Sequence, residues 1–253
     1  MDFEHVKAVF EEYLNGYDRE NNKVKLKIVH TYGVIRCSEE IGRRMGLQAE
    51  DMELAKLIAL LHDIGRFEQL KRFNSFEADT MDHATYGVKV LFEEGMIRQF
   101  IEEDTWDDVI RTAIAKHSDY ELTGITDERT LLHARLIRDA DKLDNCRVKL
   151  EDAMETLLDL SADEVGKYAI SPKVREDAFA GKCICSKDRR TPMDYWVSYV
   201  AYFYDLNFQE TLDIVAEEQY VKRIIGRVPY TNEQTKKTME ELERQLTEYV
   251  RRK

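Results

Sequence analysis

Apolar residues along this chain recur at helical spacing. Phe3, Val6, Val9, Phe10, Tyr13 and Leu14 predict a helix over residues 2–15, closed by Asn15-Gly16. Val24, Ile28, Tyr32, Ile35 and Ile41 mark one face of a second helix over 21–45, which Gly46 ends. Leu54, Leu57, Ile58 and Leu61 follow the i, i+3, i+4, i+7 pattern of a third helix over 49–63. Gly65 then lets the chain turn sharply. Residues 68–79 mix Lys71, Arg72, Asn74 and Ser75 with Phe73 and Phe76, and read as a loop able to reach over a site. Asp82 suits the N-cap of a helix over 83–94. Thr105 and Asp108 have the spacing of a capping box for a helix over 106–117. Leu132, Leu136, Ile137 and Ala140 point a further helix inward over 127–143, with Asp141 at its far end, and Leu157 and Leu160 suggest that it continues or restarts before Ser161.

Beyond Ser161, Ser171-Pro172 and Thr191-Pro192 each resemble a helix start with proline at the first position, separated by a loop over 180–190. Tyr195, Trp196, Tyr199, Val200, Tyr202, Phe203 and Tyr204 form an aromatic helix assigned to core. A charged terminal helix over 232–253 has Met239, Leu242, Leu246 and Tyr249 as its apolar stripe. With only three prolines and eleven glycines in 253 residues, and Glu, Lys, Leu, Arg and Ala plentiful, the composition agrees with an all-α protein. We expect a helical domain over residues 1–160 and a helical extension over 161–253 packed on it as one structural unit.

The formal charge of −12 argues against a binder of duplex nucleic acid or membrane surfaces, which needs a basic footprint. It leaves room for a phosphorylated small molecule met by a few local cations. Cys37, Cys146, Cys183 and Cys185 are expected to be reduced thiols of a cytoplasmic protein, since a chain of this size needs no disulfide staples. The start Met1-Asp2-Phe3-Glu4-His5 lacks the pattern of a targeting segment, and no apolar run is long enough to span a membrane.

The stretch Leu60-Leu61-His62-Asp63-Ile64-Gly65-Arg66-Phe67 runs from an apolar approach into two good metal ligands. Burying such a pair is costly unless a cation or hydrogen bonds satisfy it. Four of the six histidines, with Asp63 and Asp141, form the ordered series His30…His62-Asp63…His83…His117…Asp141. This series resembles the HD-domain superfamily of metal-dependent phosphohydrolases over roughly residues 20–150. The resemblance implies an HD-domain helical bundle with additional C-terminal helices.

Mixed imidazole and carboxylate ligands suit Mn, Fe, Zn, Co or Ni, with Mg possible. One or two ions are expected, and two are the natural inference, because six ligands exceed what one site holds while admitting substrate. By resemblance to binuclear members, Asp63 would bridge the ions, with His30, His62 and Asp141 completing one site and His83 and His117 the other. Such a centre attracts anions and makes a bridging water acidic enough to attack phosphorus as hydroxide.

Arg66 stands where the family often carries lysine, and its planar fork can clamp phosphate oxygens. Lys142 is a second candidate phosphate contact, with Arg72 and Arg189-Arg190 as weaker ones. His5 and His133 are expected to be packing or solvated histidines, and Asp139 or Asp144 can orient a metal-bound histidine. No Gly-Tyr-Pro follows His117, and Ile64-Gly65-Arg66-Phe67 after the His-Asp pair holds no acidic residue, which argues against cyclic-dinucleotide phosphodiesterases and alarmone hydrolases. The expected activity is hydrolysis of a phosphoester of a small phosphorylated metabolite, foremost a nucleotide, with Asp63, Arg66 and Lys142 acting in catalysis. The alternatives are a di-iron oxygenase of the same fold and a non-catalytic nucleotide-binding regulator. The sequence leaves the oligomeric state open.

Overall fold

The computed structural model describes residues 1–77 and 79–252, and every regular element among them is helical. Ala78, within the expected loop, and Lys253, the expected end of the terminal helix, lie outside the described residues. Contacts divide the chain into two units, Met1–Asp144 and Asn145–Lys253.

In the first unit, α1 (Phe3–Leu14) starts on the Asp2 carboxylate, which accepts from the Glu4 and His5 amides, and buries Val6, Phe10 and Leu14. The long helix α2 (Asn22–Met45) is capped by the Asn21 side chain. It ends at Gly46, whose φ of 71° is a conformation that glycine adopts without strain. α3 (Ala49–Leu61) starts on the charged Glu50, Asp51 and Glu53 and becomes apolar toward its end, where Leu54, Ala55 and the whole run Leu57–Leu61 are buried. Its second half has no solvated face, while Glu50 and Glu53 in its first half reach solvent.

The next segment differs from expectation. Residues 68–79 are not all loop: α4 (Ile64–Phe73) starts one residue after Asp63, and irregular chain begins only at Asn74. Ile64, Phe67 and Leu70 are buried along one side of α4, a spacing too short to stand out among Lys71, Arg72 and Phe73. Phe67 packs edge-on against Phe10 and Tyr13 of α1, and the Tyr13 hydroxyl donates to the Ile64 carbonyl at 3.0 Å. Gly65 serves close approach rather than a turn. A Cβ there would meet the His83 carbonyl oxygen at 2.2 Å and the Gly87 nitrogen at 2.6 Å. Only glycine lets α4 lie this close to α5 (His83–Val88), which begins, as expected, on the Asp82 side chain.

The chain continues from α5 as a π-helical turn over Lys89–Glu93, followed by α6 (Ile97–Phe100) and α7 (Asp107–Lys116). The expected capping box does not form, because Trp106 occupies the cap position of α7 without a side-chain bond. α8 (Glu128–Glu151) runs well past the expected end at Leu143, which places Asp141 inside the helix, and the unit boundary falls within it. Asp127 caps α8 by accepting from the Thr130 amide and hydroxyl.

The second unit holds α9 (Met154–Leu158), α10 (Ala162–Val165), α11 (Pro172–Phe179), α12 (Pro192–Ala201), α13 (Gln209–Glu217), α14 (Tyr220–Ile225) and α15 (Glu233–Arg252). Both proline-led starts are present. Asp194 is buried and accepts from Ser171 N and Oγ, Arg190 N and Thr191 N, tying the two starts together. Four donors offset the cost of burying that carboxylate. The aromatic segment forms core through Trp196, Val197, Val200 and Phe203, with a short 3-10 turn over Tyr202–Asp205. α15 buries Met239, Leu242, Leu246 and Val250.

Candidate metal centre

All six residues of the histidine-aspartate series belong to the first unit. Six different helices deliver them: His30 lies inside α2, His62 caps the end of α3, Asp63 begins α4, His83 opens α5, His117 caps the end of α7 and Asp141 lies inside α8. Their ligand atoms fall into two groups, each within 4.8 Å across: His30, His62 and Asp141, and Asp63, His83 and His117. The rings of His62 and His117 meet edge to face at 5.3 Å, so the groups adjoin.

Asp63 faces both. Its Oδ2 lies 3.5 Å from His62 Nε2, while its Oδ1 lies 3.2 Å from His83 Nε2 and 3.7 Å from His117 Nε2. In the first group, His30 Nε2 is 2.9 Å and His62 Nε2 is 3.9 Å from Asp141 Oδ1. In the second, the ε nitrogens of His83 and His117 face each other at 3.1 Å.

The tautomers explain why these atoms converge. His62 Nδ1 donates to the Ala59 carbonyl at 2.7 Å and His117 Nδ1 to the Ile114 carbonyl at 2.7 Å, each one turn back on its own helix. A neutral ring bound in this way presents its Nε2 lone pair to the centre. His62 Nε2 is buried and has no hydrogen-bond partner. Burial holds the His62 imidazole down at about 4, and burial together with the Arg66 charge holds His83 at about 3. Burial pushes the Asp63 carboxyl up, but the Lys27 and His62 charges and hydrogen bonds from His117 and His83 hold it well below the usual carboxylate range. Asp141 is likewise driven down, against its burial, by the His30 hydrogen bond and by the charges of His30, His62 and Lys27. An orphaned imidazole lone pair aimed at carboxylates is the donor set a divalent transition cation takes.

The surrounding residues fix this arrangement. Asp144, one turn after Asp141, sets its Oδ2 2.8 Å from His30 Nδ1, so of the two flanking carboxylates it is the one that orients His30. It reaches the ring across Gly33, where a Cβ would sit 1.9 Å from Asp144 Oδ1. Arg138, one turn before Asp141, is buried and donates to the carbonyls of Lys116, His117 and Asp119, locking the end of α7 to α8.

Of the expected substrate contacts, Arg66 enters the centre. Its Nε is 3.7 Å from Asp63 Oδ1 and its NH2 is 2.9 Å from His83 Nε2, while NH1 donates to Gln69 and the Phe76 carbonyl. Burial lowers its guanidinium somewhat. The Lys142 ammonium lies 3.5 Å from the Arg138 carbonyl along its own helix. Arg72 pairs with Glu68 at 2.6 Å and lies over the Tyr86 ring. His133 is a packing histidine, buried with Nε2 3.0 Å from Asp51. Sequence reasoning missed Lys27, whose Nζ is 2.6 Å from Asp63 Oδ2. Its three-residue spacing from His30 on one helix was the available signal.

An all-helical domain carrying two adjoining histidine-carboxylate groups defines a metal-binding class of protein. Residues 28–146 match the HD domain family. HD domains bind divalent metals and are in general metal-dependent hydrolases. Comparison with curated proteins and with solved structures finds no match. Among the described residues no helix is long and apolar enough to cross a membrane.

Proposed function

We propose that this protein is a metal-dependent phosphohydrolase that cleaves a phosphoester of a small phosphorylated metabolite, foremost a nucleotide. The observation that carries this reading is the two-sided placement of Asp63, one oxygen toward His62 and the other toward His83 and His117. His30, His62 and Asp141 would hold one divalent cation and His83 and His117 a second, with Asp63 shared. Bound there, Mn, Fe, Co, Ni or Zn supplies Lewis acidity toward phosphoryl oxygens and makes water a competent nucleophile near neutral pH.

The chain's own residues supply the rest. Asp144 holds the His30 ring in the orientation that presents Nε2. Arg66 is placed to bind phosphoryl oxygens with a planar donor pair once its neighbours Asp63 and His83 are engaged elsewhere. Lys142, next to Asp141, is a further candidate contact, with Arg72 more remote. The four cysteines are thiols, which supports a reducing, cytoplasmic setting.

The test is phosphate release from a panel of nucleotides and simple phosphate esters with Mn, Co, Ni and Mg, beside metal analysis of the purified protein. Turnover by the wild type and none by a folded Asp63→Ala variant is expected. Undiminished turnover in Asp63→Ala removes the shared-ligand reading. Oxygen uptake by an iron-loaded form that releases no phosphate favours the oxygenase instead.

A further inference from the structure

Lys27 is placed unlike an ordinary surface lysine. Its side chain is only 12 % exposed, and its ammonium meets Asp63, itself 3 % exposed, on the oxygen that faces His62. α2 fixes this position one turn before His30, and the Lys27 carbonyl accepts from Thr31 at 2.9 Å. On its other side the ammonium lies 5.8 Å from the centre of the Phe76 ring, in the chain that follows α4. Lys27 therefore stands between the paired ligand groups and the segment bordering them.

Two side-chain cations, Lys27 and Arg66, face the two carboxylates Asp63 and Asp141, while the third buried carboxylate of the centre, Asp144, is taken up by His30 Nδ1. In the protein alone these charges offset each other. Two divalent cations at the same carboxylates would leave both side-chain cations in surplus, and Lys27 would then need another anion. An ammonium has three donors, of which Asp63 takes one. A terminal phosphate carries nearly two negative charges at neutral pH, whereas a phosphodiester carries one and has fewer unesterified oxygens. The dianion answers the surplus better.

We infer that Lys27 is a substrate-binding residue that donates to a phosphoryl oxygen and selects a terminal phosphomonoester over a phosphodiester. This inference rests on the phosphohydrolase reading above. It also makes Lys27 a competitor of metal ions for Asp63 in the unloaded protein.

Calorimetry on the full chain tests it with Lys27→Met and Lys27→Arg, each checked for folding by its melting curve. Mn is titrated into metal-stripped protein, and inorganic phosphate or dimethyl phosphate into the Mn-loaded form. In Lys27→Met, phosphate should bind about tenfold or more weakly, the loss of one charge-assisted hydrogen bond. Dimethyl phosphate should bind as it does to the wild type, and Mn should bind the stripped protein more tightly. Lys27→Arg should keep phosphate affinity within about threefold, because it keeps the charge. Equal phosphate affinity in the wild type and Lys27→Met overturns the inference while leaving the hydrolase reading intact. Weaker Mn binding in Lys27→Met also overturns it, since the residue would then be supporting the centre. A loaded wild type that ignores phosphate overturns the hydrolase reading and this inference together.

Discussion

Replacing Asp144 by alanine removes the partner of His30 Nδ1 while leaving all six ligand side chains in place. Both groups are buried, His30 fully and Asp144 to 97 %, and they meet at 2.8 Å. A buried hydrogen bond to a charged group contributes about 1.5–3 kcal/mol, which corresponds to roughly ten- to hundredfold in an equilibrium constant. Metal affinity of the stripped protein, read by Mn calorimetry, should fall by that factor. Asp144→Asn keeps an acceptor without the charge and should fall between wild type and alanine.

Gly33→Ala provides an independent route to the same defect. The new methyl carbon would lie 1.9 Å from Asp144 Oδ1, 2.3 Å from Cγ and 2.6 Å from Oδ2, so the carboxylate must swing off His30. Both single variants should therefore lose similar affinity, and Gly33→Ala with Asp144→Ala should lose little more than either alone. Additive losses, or Mn affinity within twofold of wild type in Asp144→Ala, would refute the idea that this carboxylate orients His30.

Gly65→Ala should cost about 3 kcal/mol in urea unfolding, because its Cβ meets the backbone of His83 and Gly87 rather than a side chain that can move. Its metal stoichiometry should fall as α5 shifts and carries His83 away. Arg138→Met leaves the carbonyls of Lys116, His117 and Asp119 without their donor and should lower both the melting temperature and the metal affinity. An unchanged melting temperature would show that the end of α7 does not need this lock. The metal-free protein should weaken as pH falls below about 6.5, the ordinary imidazole value. The folded state keeps His62 neutral to about 4 and His83 to about 3, so below 6.5 the unfolded chain takes up more protons. The His62 part is lost progressively down to about 4, and a urea midpoint higher at pH 5 than at pH 7 would contradict this sign.

Part of this centre was legible because three of its histidines are tied to helix ends. His62 follows an apolar run, His83 follows a good N-cap, and His117 closes a predicted helix, so each position was constrained by local pattern. What escaped depends on partners far apart in sequence. Nothing around Gly33 announces that Asp144 fills the space of its absent side chain, and nothing around Arg138 announces three carbonyls at the end of α7. Gly65 misled because a glycine after a helix usually signals a turn, whereas here it is a contact surface inside the next helix. The expected loop over 68–79 followed from that reading, and from a helix too short for Phe67 and Leu70 to establish a period.

α3 and α4 are separated by only His62 and Asp63, which hand one ligand to each neighbouring group. Inserting or deleting one residue at this junction would turn everything beyond it by about 100°. Asp63 and His62 could not then serve both groups at once. This two-residue junction therefore admits no change of length without dismantling both halves together.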